Sequence, residues 1–284
     1  MSDDPRRGII LVTVLWSIAL LSALAMAASL TFREFAGVMA VSRDRVQGEA
    51  LLTAGLEAAA GQLAGAGEQP LADAELSVDL STGSVRARLT DEGGRIDIGQ
   101  APAEVLASLL RSVGAPPATA DVLARRIIEQ RVDVGRDSQG TARRRRSELP
   151  FTDVRQLAEL PGMAAEWVSA IVPLTTVFGS ETINPLTAPA AVIAALPGVD
   201  QARIEAFLAM RRAAAPDADR LGQLLGPAQR YVAAKPQRVA SVELAASLPD
   251  GYATAARAVI TLLPQDGQPY RVLLWQPRPA TRFP

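Results

Sequence analysis

"IDIGQAPAEVLASL", residues 96–109, returns in altered form as "INPLTAPAAVIAAL", residues 183–196, 87 positions further on. The two stretches match at isoleucine, the Ala-Pro-Ala triplet, valine, alanine and leucine. Similarity at a fixed offset marks a repeated supersecondary unit. In each copy a proline, Pro102 or Pro189, stands where the first turn of a helix tolerates one. The polar residues Gln100 and Thr187 precede it, placed to serve the orphan N–H groups of the helix start. A second helical stretch follows each: "ATADVLARRIIEQR" (118–131) and "QARIEAFLAMRR" (201–212). Residues 96–234 therefore read as one helical domain containing two related units.

Strand patterns flank this block on both sides. "AELSVDL" (74–80) alternates, "STGS" turns, and "VRARL" (85–89) returns, which is a β-hairpin. Beyond the helical block, "SVELAASL" (241–248), "YATAARAVITLL" (252–263) and "YRVLLW" (270–275) read as three more strands, with turns at "PDG" and "PQDGQP". The expectation is an α+β fold in which residues 62–95 and 235–284 form one small antiparallel sheet interrupted by the helical domain.

The N-terminus begins with "RRGIILVTVLW" (6–16), and no charge occurs from Gly8 to Phe32. The apolar stretch Ile9–Leu30 holds 22 residues, roughly 33 Å as a helix and enough to cross a hydrocarbon layer. With Arg6 and Arg7 in front, the expectation is a single transmembrane span over 9–30, its N-terminus cytoplasmic and the bulk of the chain periplasmic. Three readings of this segment stay open. A secretory signal peptide would use the small-x-small sites Ala23-Leu24-Ala25 or Ala25-Met26-Ala27. A plain anchor is the second. The third is a leader of residues 1–8 cut off after Gly8. The missing polar cleavage region favours the third. So does the helical spacing of Phe35, Val38, Met39, Val46, Leu52 and Leu56, which carries one helix from Ile9 to Gly61.

Composition excludes much of catalysis. There is no histidine and no cysteine, so zinc sites, thiolate chemistry and Ser-His-Asp triads are ruled out. No phosphate-binding or dinucleotide-binding glycine motif occurs. An enzyme, a cofactor or a metal is not expected. Net charge is −1, which draws the whole chain to neither polyanions nor acidic surfaces. "LAELPGMAAEWVSAI" (157–171) and "AALPGVDQARIEAFL" (194–208) resemble helix-hairpin-helix elements, whose DNA-binding form carries a second glycine that exposes backbone N–H groups to phosphate. Ala164 and Asp200 occupy that place here, and a carboxylate repels phosphate, so nucleic acid is not an expected partner. "ARRRRSELP" (142–150), with Arg143 to Arg146, reads as a solvated loop, a contact with anionic headgroups or an acidic partner being the sharper alternative.

Taken in order, these landmarks resemble the K family of the type II (general) secretion pathway, a minor pseudopilin. The carrying residues are Arg6-Arg7-Gly8 before "IILVTVLW", then "GRIDIGQAPAEVLASLL", "FTDVRQLAELPGM", "IVPLTTVFG" and "INPLTAPAAVIAALPG". The resemblance implies a long N-terminal transmembrane helix and a pilin-like sheet with a large inserted domain of helix-hairpin-helix or SAM-like type. It implies cleavage between Gly8 and Ile9 by a prepilin peptidase and N-methylation of Ile9. It further implies a place at the tip of a periplasmic pseudopilus in the inner membrane, where the chain caps the fibre and helps initiate its assembly for export of folded proteins. The implied partners are the I and J minor pseudopilins and the major pseudopilin, with contact to secreted cargo left open. Pilin-like subunits usually carry a glutamate five residues after the cut; here the place holds Thr13. A tip subunit has no neighbour ahead to pair that carboxylate, and a hydroxyl avoids its cost of about 3 kcal/mol in hydrocarbon. The chain departs from the family in "EQRVDVGRDSQGTARRRRSELP" (129–150), where Asp133 and Asp137 are too few for a calcium site. The competing functional class is a membrane-anchored helix-hairpin-helix module that binds DNA.

Overall fold

The computed structural model describes residues 5–67, 74–133, 150–212, 216–234, 239–263 and 269–279, with side-chain surroundings given for all but 5–12, 27–37 and 132–133. Helix α1, Pro5–Gly65, runs unbroken, because after its first residue it contains no proline and is dominated by Ala and Leu. Only its far end is one-sided. Leu51, Leu52, Leu56, Ala59, Ala60 and Leu63 are buried, at the three- and four-residue spacing of a single helix face.

That face lies on a five-stranded antiparallel sheet of order β1-β2-β5-β6-β7. The strands are β1 (Ala74–Leu80), β2 (Gly83–Asp91), β5 (Val239–Ser247), β6 (Ala253–Leu262) and β7 (Tyr270–Arg278). Alternate residues face the helix: Val85, Ala87 and Leu89 from β2, Val242, Leu244 and Ala246 from β5, and Ala256, Ala258 and Ile260 from β6. Two glycines of α1, which cost helix propensity, are where the sheet comes closest. A Cβ on Gly55 would stand 2.7 Å from Val85 Cγ2 and 3.0 Å from Leu244 Cδ2. One on Gly48 would stand 2.8 Å from Thr254 Cγ2.

Between β2 and β5 the chain leaves the sheet and builds the helical insert. The first unit runs β3 (Ile96–Asp97), α2 (Ala103–Ser112), α3 (Pro117–Asp133), a 3-10 turn (Val154–Glu159), α4 (Ala165–Ile171) and β4 (Thr175–Thr176). The second holds α5 (Ala190–Ala194), α6 (Gln201–Arg211), α7 (Ala218–Leu224) and a 3-10 turn (Gly226–Tyr231). Each unit has two corners, each turned by a glycine with positive φ: Gly114 (96°) and Gly162 (83°) in the first, Gly198 (74°) and Gly226 (57°) in the second. Each unit also closes at its base through a parallel pairing, Ile96 with Thr175 in one and Ile183 with Val232 in the other. The insert buries its own core, including Leu106, Leu110, Leu123, Ile127, Phe151, Val192, Phe207 and Leu221. No residue of that core belongs to the core between α1 and the sheet.

The α+β class and the antiparallel sheet stand, but the membrane span does not. Among the described residues no helix is long and apolar enough to cross a membrane. The transmembrane segment expected at 9–30, and with it the single-pass inner-membrane placement, is therefore withdrawn.

The two kinds of glycine in α1 separate cleanly by substitution. Gly61 is exposed with nothing within 4 Å of a built Cβ, so Gly61→Ala should stabilise by about 0.5–1 kcal/mol through helix propensity. Gly55→Ala should destabilise by about 1–2 kcal/mol despite the same gain, because Val85 has no room to yield. Chemical denaturation of the two variants measures both.

Candidate functional site

The candidate site is the base of the insert, where the residues of both repeats converge on the sheet. Asp91 ends β2, and its buried carboxylate accepts from Gly93 N at 2.9 Å, Asn184 Nδ2 at 3.2 Å and Thr187 Oγ1 at 2.7 Å. The backbone joins in, with Asn184 N donating to Gly93 O at 2.8 Å. Asp97, equally buried, accepts from Gly99 N at 2.6 Å and Gly179 N at 2.7 Å. Burial raises both carboxyls above the ordinary 3.8, against the pull of those hydrogen bonds and, for Asp97, of Arg131.

The repeat extends into chemistry that its helices alone do not reveal. Asp97 and Asn184 stand at equivalent places and close equivalent turns: Gly99 N donates to Asp97 Oδ1, and Leu186 N to Asn184 Oδ1. Each Ala-Pro step then needs a partner for its alanine carbonyl. An arginine at the end of each second helix supplies it. Arg131 donates through Nη1 to Ala101 O at 2.9 Å and through Nε to Ile98 O at 2.9 Å. Arg211 donates to Ala188 O while lying 5.4 Å over the Phe207 ring. Burial lowers the pKa of both guanidiniums, with Asp97 opposing this at Arg131. Both arginines close the helical stretches that follow the repeat, so the signal was present in the sequence. Asp91 carried no such signal.

Gln100 and Thr187 do not serve helix starts as expected. Pro102 and Pro189 are themselves the N-caps, without a side-chain cap bond. Gln100 Nε2 reaches Gly179 O at 3.1 Å, and Thr187 is taken by Asp91. The chain enters each helix through the preceding Asx turn, which leaves the polar side chain free to tie distant segments. Ala164 and Asp200 are the N-caps of α4 and α6, and the Asp200 carboxylate accepts from Arg203 N at 2.9 Å. That corner presents a negative charge where a DNA phosphate would have to sit.

The processing residues lie far along the chain from this base. Gly8 and Ile9 are consecutive residues near the start of α1, their side chains outside the described set. Thr13 is exposed on the same helix, and its carbonyl accepts from Ser17 Oγ at 2.8 Å. Around it the helix is bare, with Trp16 72 % and Met26 70 % exposed. Asp137 and Arg143 to Arg146 lie outside the described residues; Asp133 ends α3, and its side chain is not described. Among the described residues no group of three or more acidic side chains is placed to hold a metal.

One long helix on an antiparallel sheet, with a double helical insert between two adjacent strands, defines the class of fold. No family model matches the chain, and no curated protein matches it in sequence. In structure it is similar to a chain of the GspK-GspI-GspJ complex from the enterotoxigenic Escherichia coli type 2 secretion system. The TM-score is 0.58 at 14% identity, over 87% of this chain and 99% of that one. At that identity the likeness is one of fold, and its extent takes in the greater part of the chain.

Two measurements probe the base. Arg131→Met strands the Ile98 and Ala101 carbonyls and should cost about 2–3 kcal/mol in denaturant unfolding. For Asp91 the sign follows from linkage. A carboxyl with a raised folded pKa holds its proton more tightly when folded, so its contribution favours folding in acid and is lost as pH rises from the ordinary 3.8 through the folded value. Asp91→Asn should reduce that downward slope of the stability–pH curve and leave the share that Asp97 contributes.

Proposed function

We propose that this chain is a minor pseudopilin of a type II secretion pathway, with no catalytic role, that occupies the tip of the pseudopilus and helps initiate its assembly. The observation that carries the reading is the insert. A bulky helical domain set between two paired strands leaves no slender surface on which a further subunit could stack. The likeness to a chain of the GspK-GspI-GspJ complex and the ordered K-family landmarks in the sequence support it from separate directions.

On this reading a prepilin peptidase cuts between Gly8 and Ile9, and Ile9 becomes the N-methylated first residue. Thr13 is then the fifth residue of the mature chain, an uncharged one where a following subunit would need a carboxylate. The exposed apolar residues of α1, among them Leu15, Trp16 and Leu24, pack against the corresponding helices of the I- and J-type minor pseudopilins and the major pseudopilin. Secreted cargo meets the insert at the tip. The DNA-binding alternative gains nothing from the geometry, given Asp200 at its hairpin corner.

Three readouts test this. N-terminal sequencing of the chain from its native host should find Ile9 first, and a mature start at Ser22 or beyond would sink the reading. The full chain should co-purify with the I- and J-type subunits of its own system. Thr13→Glu should leave the isolated chain folded while reducing recovery of that complex at least several-fold.

A further inference from the structure

The insert and the sheet have separate cores, so neither core fixes the angle of one to the other. The surfaces that meet between them mix charged and apolar groups, with Val154, Val172 and Val177 of the insert near Leu274 of the sheet. A small cavity of about 40 Å³ remains there, lined in part by Glu92, Arg257, Thr176, Phe178, Val259 and Gln276.

Two consecutive carboxylates cross this seam in opposite directions. Asp91, held in the sheet by its pairing with Ala240, reaches into the insert and takes Asn184 and Thr187 of the second unit. Glu92, 1 % exposed, turns the other way. It meets Arg95 at 3.0 Å and Arg257 of β6 at 3.7 Å. Arg257 is itself largely buried and sits on β6 between Glu243 of β5 and Gln276 of β7. The following glycines leave the backbone no slack. A Cβ on Gly94 would stand 2.8 Å from the Thr187 carbonyl carbon, and Gly93 O is bonded to Asn184 N.

We infer that Asp91 and Glu92 form a two-way clasp that fixes the orientation of the insert on the sheet, and that cutting it lets the insert pivot on residues 91–95 while both cores stay folded. A buried charge held to a partner on each module resists displacement, since a rotation that parts Glu92 from Arg257 takes from each largely buried charge one of its opposite partners. Each module keeps its own hydrophobic core, so pivoting leaves both cores intact. The inference concerns the joint alone and holds whatever the chain assembles with.

The chain contains no cysteine, so a cysteine pair introduced at exposed Ser77 of β1 and exposed Glu205 of α6 can carry nitroxide labels. Pulsed electron paramagnetic resonance on the full chain then reads the distance between sheet and insert. The otherwise unaltered chain should give one narrow distribution, and the Asp91→Ala, Glu92→Gln double variant one at least twice as wide. Arg257→Gln, which cuts only the sheet side of the clasp, should widen it as well. Glu75→Gln, which removes a surface pair with Arg88, should not. Hydrogen exchange should show amides of α2 and β5 still protected in the widened variants. A width unchanged by Arg257→Gln would overturn the inference, as would a broad distribution in the unaltered chain. If the double variant unfolds, Arg257→Gln decides the matter alone.

Discussion

The pairing of β2 with β5 constrains everything between them. Asp91 faces Ala240 across the ladder although the two are 149 positions apart, 91 to 240. Adjacent strands lie about 5 Å apart, so an insert of that length must leave and re-enter the sheet at a single point. The structure meets this by closing the insert twice at its base. Ile96 meets Thr175 in parallel, and Ile183 then meets Val232. Parallel neighbours require a crossover between them, and each unit's two glycine-cornered helical pairs are that crossover. Repetition of the unit is thus a way to lengthen the excursion without moving its ends.

Closing loops at one point gathers backbone groups that no regular ladder can satisfy. Ala101 and Ala188 present carbonyls at Ala-Pro steps, where proline has removed the neighbouring N–H, and Ile98 presents another close by. Leaving such groups buried and unpaired costs about 1–3 kcal/mol each. Guanidinium groups answer this well, because their fork reaches two carbonyls at once, as Arg131 does for Ile98 and Ala101. The same need on the sheet side is met by carboxylates: Asp91 collects a backbone N–H, an amide and a hydroxyl from three separate residues.

Regular elements were legible in the sequence because they are periodic. The strands at 74–80 and 85–89, and those near 241, 253 and 270, follow alternation. The length of α1 follows from an unbroken run of helix formers. The base of the insert was not legible, because its contacts join residues such as Asp91 and Thr187 that no local pattern relates. Gln100 and Thr187 show how this misleads. Their place before a helix suggests a cap, yet the Asx turns at Asp97 and Asn184 already supply the entry and free those side chains for longer reaches. The glycines of α1 are a further case that local pattern does not explain. Propensity alone makes Gly48 and Gly55 weak points, whereas the sheet's approach makes them necessary.

The distribution of apolar residues along α1 says what kind of surroundings its two ends require. From Gly48 to Leu63 the buried positions form one stripe, and one sheet covers it. From Val14 to Met26 there is no stripe: Val14, Leu15, Trp16 and Ile18 point in several directions around the axis, and all are at least half exposed. A single docked partner would cover one side and leave the others in water, at about 25 cal/mol for each Å² of apolar surface left uncovered. Only neighbours on several sides remove that cost. A lone binding partner for this end is therefore disfavoured on geometry.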